Sequence, residues 1–164
     1  MFSDKVLALA QEVIDLAKSS GVMVATAESC TGGLVAASLT ALAGSSAAVD
    51  RGFVTYSNEA KAQMLGVPEP MLIEHGAVSE PVARAMAMGA VAHSKAQAAV
   101  SITGIAGPGG GSDTKPVGLV HFACAAPDGS LTHIEQRYGD IGRDQVRENS
   151  LLQALMLLRG GLSK

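Results

Sequence analysis

The chain has no tryptophan, and aromatic residues of all kinds make up 3% of its 164 positions. A core of packed rings is excluded, so the 48% hydrophobic content has to be assembled mainly from Ala, Val, Leu, Ile and Met. Such small side chains let helices approach a sheet closely, as layered α/β folds require. Cysteine is scarce as well. Cys30 and Cys124 are the two, and a domain of this length holds together without a disulfide. They read as reduced thiols of a cytoplasmic protein. Basic clusters are missing: 12 Lys and Arg against 15 Asp and Glu leave a net charge of −3. That speaks against a nucleic-acid-binding surface, which works by neutralising phosphates. It does not speak against a small anionic ligand, because one helix N-terminus and one arginine suffice for a phosphate. No apolar run is long enough to span a membrane. The first twenty residues are interrupted by Asp4, Glu12, Asp15 and Lys18 at helical spacing, unlike a secretory leader.

What is present is an alternation of helical and strand patterns. Ser3 is placed to cap a first helix, in which Val6, Leu7, Ala10, Val13, Ile14 and Ala17 keep the helical period up to Gly21. VMVAT (22–26) predicts a buried strand, AESCTGG a tight turn, and LVAASLTALAG a second helix closed by Gly44. GFVTY predicts a strand ending at Tyr56. A short helix follows, capped by Ser57 or Asn58 and stopped at Gly66, then a helical turn after Pro68. Ser79, with Glu80 and Pro81 behind it, opens the next full helix. AQAAVSIT is a third strand, running into the one Gly/Pro-rich stretch, GIAGPGGGSDTKP. VGLVHFACA and SLTHIEQRY alternate around Pro127-Asp128-Gly129, a hairpin signal, and a last helix runs from about Arg143 to Leu158. Three strand-to-helix units and one hairpin, without repeats or linkers, predict a single α/β domain: a three-layer α/β/α sandwich around a mixed sheet.

Three places offer chemistry. Ser29 stands where a strand passes to a helix, and the amides of Thr31, Gly32 and Gly33 fall at that helix's N-terminus, free to hold a developing oxyanion. The competing reading is an ordinary N-cap serine, which the segment alone favours. A nucleophilic serine needs a base. None of His75, His93, His121 and His133 lies in a metal-ligand or catalytic motif, so a metal site is not expected. With Asn58 as the cap, Lys61, five positions after Tyr56, falls in the first turn of its helix, and Tyr56 at the strand end is placed to pass a proton or to hold the amine. There the helix dipole and partial burial favour the neutral amine that a general base requires. A solvated lysine and a core tyrosine are the plainer alternative. Cys30 is a rival nucleophile, but Glu28 beside it raises its pKa. The third place is T103-G104-I105-A106-G107-P108-G109-G110-G111, whose free amides suit a phosphate or carboxylate, with Arg143 as an added cation. It matches neither G-x-G-x-x-G nor the P-loop pattern, and a plain surface loop explains it equally well.

Five segments in one order, TAESCTGG (26–33), VTYSNEAK (54–61), GAVSE (76–80), SITGIAGPGGG (101–111) and KPVGLV (115–120), carry a resemblance over nearly the whole chain. Together they resemble the C-terminal domain family of the competence/damage-inducible protein CinA, whose stand-alone members are nicotinamide-nucleotide amidohydrolases. The resemblance implies a three-layer α/β/α domain that hydrolyses nicotinamide mononucleotide to nicotinate mononucleotide and ammonia. By the same resemblance the catalytic serine falls on Ser29, its tyrosine and lysine on Tyr56 and Lys61. The ligand loop falls on Thr103, Gly104, Ala106 and Gly107, and a basic residue of the last helix on Arg143. The partner expected is thus a small nucleotide, with pairing into a homodimer compatible and Met86 and Met88 a weak candidate contact. A binding module that holds the nucleotide without turnover is the alternative; a dinucleotide oxidoreductase is disfavoured by the missing G-x-G-x-x-G.

Overall fold

The computed structural model describes residues 1–164. Its first helix, α1 (Asp4–Ser20), is capped by Ser3, whose Oγ accepts the Val6 amide at 3.3 Å. Gly21 ends it in the left-handed region (φ 64°), and the Val22 amide donates to the Ala17 carbonyl. That C-terminal tie uses residues that strand propensity alone assigns to the sheet. Strand β1 (Val24–Glu28) therefore starts two residues later than the pattern predicts and continues through Glu28. All five of its residues are buried, as expected of a strand covered on both faces.

Helix α2 (Leu34–Thr40) stops well before Gly44. Thr40 Oγ1 bonds back to the Ala36 and Ala37 carbonyls, competing with the helical ladder. A 3-10 turn at Ser45–Ala47 leads to β2 (Val49–Val54), which ends two residues before Tyr56. Helix α3 (Asn58–Leu65) is capped by Ser57, whose Oγ accepts the Ala60 amide at 3.0 Å. Helices α4 (Glu69–His75) and α5 (Glu80–Ala92) follow. Strand β3 (Ala98–Gly104), the hairpin of β4 (Leu119–Ala125) and β5 (Leu131–Arg137), and α6 (Arg143–Leu162) complete the chain. α6 runs one turn past Leu158, and in that turn Gly161 lies against Cys124, where a Cβ would stand 2.7 Å from Sγ.

The five strands form one sheet in the order β2-β1-β3-β4-β5. β1 is parallel to both β2 and β3, while β3–β4 and β4–β5 are antiparallel. Alternation along the strands separates two apolar layers. Val24, Val100, Ile102, Val120 and Phe122 face α1, α2 and α6; Ala25, Ala27, Phe53 and Ala99 face α3, α4 and α5. The fold is thus the expected α/β/α arrangement with a mixed sheet. Met86 is wholly buried in the second layer, whereas Met88 is exposed. No helix is long and apolar enough to cross a membrane.

The connection from β1 goes to one side, to β2, and the chain then returns to β3 on the other side. The carboxyl end of β1 is therefore a topological switch point, where open α/β sheets form a crevice. Ser29 is the first residue beyond that end.

Candidate active site

Register places Ser29 between two neighbours. Its amide donates to the Ile102 carbonyl at 2.9 Å, and the Thr55 amide donates to the Glu28 carbonyl at 2.8 Å. Ser29 is thus held between the ends of β2 and β3. It is not a helix cap. α2 begins five residues later behind Gly33, which has no capping side chain. The capping group is Glu28, fully buried, whose carboxylate accepts the amides of Val35 (2.9 Å) and Ala36 (3.0 Å). It also accepts hydroxyls from Thr31 (2.7 Å) and Thr26 (3.1 Å). A carboxylate at a helix N-terminus meets the unpaired amides and the positive end of the dipole. That leaves the Ser29 hydroxyl unclaimed by α2.

Lys61 supplies what faces it. As the fourth residue of α3 behind the Ser57 cap, it is only 1% exposed and is the largest fully buried side chain. Its Nζ donates to Ser29 Oγ at 3.2 Å and to the Thr55 carbonyl at 2.9 Å. No carboxylate pairs with it. Burial pushes its pKa below the ordinary lysine value, opposed only by the nearby Cys30 thiol. The solvated-lysine alternative is therefore overturned. Thr55 Oγ1, buried beside this pair, has no protein partner. Cys30 is buried and its thiol is pushed up to about 12, first by desolvation and then by Glu28. It stays protonated at neutral pH and makes a poor nucleophile.

Tyr56 is placed differently from expectation. It is exposed, and its Oη accepts from Arg143 Nη2 at 3.1 Å. The Lys61 amine is held by the Thr55 carbonyl instead, because β2 ends early and turns the phenol outward. Arg143, exposed at the start of α6, also donates from Nη1 to the Gly107 carbonyl at 2.8 Å. One guanidinium thus joins the β2–α3 connection to the glycine-rich loop.

In that loop Thr103 is buried and its hydroxyl is committed to the Ala77 carbonyl at 2.8 Å. Gly104 lies under Val120, which a Cβ would approach to 2.7 Å. The amides of Ala106 and Gly107 donate to no protein group, and Gly107 adopts φ 81°. Thr103 and Gly104 therefore act as scaffold for the loop, while free donors begin at Ala106. In the Ser29 turn, the Gly32 amide is taken by the Ser29 carbonyl at 3.0 Å. This removes Gly32 from the expected oxyanion donors and leaves the amides of Thr31 and Gly33 without protein acceptors.

Sequence reasoning missed three residues here. Glu28 was weighed only for its effect on Cys30. Thr55 contributes through its backbone, which no side-chain motif announces. Arg147, half-buried, donates from Nε to the Cys30 carbonyl (3.2 Å) and from Nη2 to the Thr31 carbonyl (3.3 Å). Its spacing from Arg143, one helical turn, is the one available signal. The histidines are not in the crevice. His121 Nδ1 and His133 Nε2 lie 2.9 Å apart on β4 and β5, and His93 Nδ1 bonds to the Gly89 carbonyl.

The same arrangement of sequence and fold recurs in known proteins. A model of the CinA C-terminal domain matches residues 6–162. The nicotinamide-nucleotide amidohydrolase PncC of Escherichia coli is 54% identical over 159 residues, covering 96% of this chain and 95% of that protein. A CinA-like protein of Mycolicibacterium gilvum is 56% identical over 145 residues, 88% of this chain but 34% of the longer relative. Among solved structures, the competence/damage-inducible protein CihA of Agrobacterium tumefaciens superposes with a TM-score of 0.97 at 53% identity, covering 100% of this chain and 99% of that one. With a Ser–Lys pair at the switch point of a matching sheet, and with matches over nearly its full length, this chain belongs to the CinA C-terminal domain family.

Proposed function

We propose that this protein is a single-domain amidohydrolase that deamidates nicotinamide mononucleotide, with Ser29 as nucleophile and Lys61 as base. The observation that carries this reading is the buried, carboxylate-free Lys61 amine 3.2 Å from Ser29 Oγ. Desolvation favours the neutral amine. In that form Nζ keeps its bond to the Thr55 carbonyl and turns its lone pair to the Ser29 proton. Ser29 Oγ then attacks the carboxamide carbon, and the oxygen that becomes negative is received by the amides of Thr31 and Gly33. The C–N bond breaks as Lys61 returns the proton, releasing ammonia and leaving an ester on Ser29. Water, activated by the same amine, hydrolyses the ester to nicotinate mononucleotide. No step draws on a metal or organic cofactor.

The phosphate end of the substrate is assigned to the Ala106 and Gly107 amides with Arg143, whose guanidinium retains donors beyond its bonds to Gly107 and Tyr56. Tyr56 belongs with this cluster rather than with the proton path. Support from relatedness is the amidohydrolase name carried by the E. coli relative.

The test is ammonia release from nicotinamide mononucleotide by the purified chain, with Ser29→Ala and Lys61→Ala alongside. Loss in either variant should reach roughly a thousandfold or more, because members of a nucleophile–base pair act as a unit. A wild-type protein that binds the nucleotide and releases no ammonia would move the assignment to a binding module.

A further inference from the structure

The turn that follows Ser29 is gripped from two sides. From within the sheet, Glu28 holds the Thr31 hydroxyl and the first amides of α2. From α6, Arg147 holds the two carbonyls of Cys30 and Thr31 with separate nitrogens of one guanidinium. The second grip bears directly on the amide beside it. The Cys30–Thr31 peptide is trans, the one cis bond of the chain being Gly107–Pro108. In a planar trans peptide the N–H points opposite to its C=O. A donor fixed at the Cys30 oxygen therefore aims the Thr31 N–H away from Arg147. A cationic donor there also withdraws charge through the amide and makes that N–H a stronger donor. Thr31 is fully buried, yet its amide meets no protein acceptor. Buried amides nearly always have partners, and this one stands two residues from Ser29.

Resting on the amidohydrolase reading, we propose that Arg147 is a positioning residue for the reaction. By bridging the Cys30 and Thr31 carbonyls it aims and polarises the Thr31 amide that receives the oxyanion. It touches no reacting atom. The role needs the rigid fork of a guanidinium, because a lysine ammonium cannot span both carbonyls in one fixed plane.

The test compares Arg147→Lys and Arg147→Gln with wild type in the full chain. Three readouts apply: steady-state ammonia release from nicotinamide mononucleotide, thermal unfolding, and the proton shift of the Thr31 amide in the ligand-free protein. A donor weakened but not deleted should cost kcat roughly ten- to a hundredfold, with KM changed only a few-fold. Lysine, which keeps the charge but not the fork, should recover part of the loss. The Thr31 amide proton should move upfield in both variants while the melting temperature changes little. The inference is overturned by a kcat within about twofold of wild type, by an unmoved Thr31 amide, or by kcat, KM and melting temperature falling together. A wild-type chain that releases no ammonia sinks the amidohydrolase reading and the oxyanion role with it. An active wild type with insensitive Arg147 variants overturns the positioning role alone.

Discussion

Lys61 is buried against its own chemistry. A lysine with no carboxylate partner, 1% exposed, is held by one hydroxyl and one carbonyl. Burial lowers its pKa in the folded protein from the ordinary 10.5. Below the lowered value the ammonium is present in both states, and the fold carries the full desolvation cost. Between the lowered value and 10.5 the unfolded chain binds a proton that the native chain does not, so stability rises with pH across that window. Lys61→Met removes the cost and should be the more stable protein at neutral pH, with the advantage shrinking towards pH 10.5. Urea unfolding of both proteins across that range measures it. A constant gap would mean that Lys61 titrates normally. The residue that costs the fold stability is thus the one to which the proposed reaction assigns the base.

Individual elements set the distance between Lys61 and Ser29. Helix α3 carries the lysine and rests on α5 at Gly89, where a Cβ would stand 2.0 Å from the Leu65 carbonyl oxygen. Alanine there gains up to about 1 kcal/mol of helix propensity. It loses more by overpacking, typically about 1–3 kcal/mol, because its neighbour is backbone and cannot rotate away. Gly89→Ala is therefore expected to lower the melting temperature and, by shifting α3, to reduce ammonia release beyond what the unfolded fraction explains. Unchanged melting would show that the α3–α5 contact yields freely. Helix α6 plays the matching part on the other face of the sheet, with Arg143 at the glycine-rich loop and Arg147 at the serine turn.

Across the whole molecule, a chain of titratable groups links three elements away from the crevice. Glu80 of α5 lies 3.6 Å from His133 Nδ1, His133 Nε2 bonds to His121 Nδ1, and His121 Nε2 lies 4.0 Å from Glu135. Arg84, Arg137 and Lys115 complete the charged surroundings. Desolvation is the first cause that lowers both histidines below 6.5; the neighbouring charge of His133 adds to it for His121. As pH falls through 6.5 the unfolded chain takes up protons before the native one, so stability declines until the native values are reached. Replacing both histidines by glutamine should flatten that part of the stability profile in equilibrium unfolding. An unaltered slope would place the acid sensitivity elsewhere. Glu80 and Glu135, held low by hydrogen bonds from Arg84 and Arg137, act at lower pH, where their protonation removes stability.

Local pattern along the chain was enough to locate every α-helix and strand, though not the 3-10 turn at Ser45–Ala47, and to predict the layered α/β class, because amphipathic pattern and burial on two faces leave their mark on consecutive residues. The glycine stops at 21 and 66 and the cap at Ser3 were legible for the same reason, whereas Ser57 was one of two candidate caps, and its bond to the Ala60 amide selects it over Asn58. Strand ends were not: β1 is displaced by two residues, and β2 starts three residues and ends two residues earlier than the pattern predicts, since the Val22–Ala17 tie and the exit of Tyr56 depend on neighbours in space. Ser29 and Lys61 were readable as candidates, through motif and resemblance, but their meeting across 32 positions was not. The segment alone favours a cap for the serine, whereas in the fold the carboxylate of Glu28 caps α2. Tyr56, Thr103 and Gly32 changed partners for the same physical reason. A side chain's type is written in the sequence, whereas its hydrogen bonds and its desolvation are set by whatever the fold packs against it.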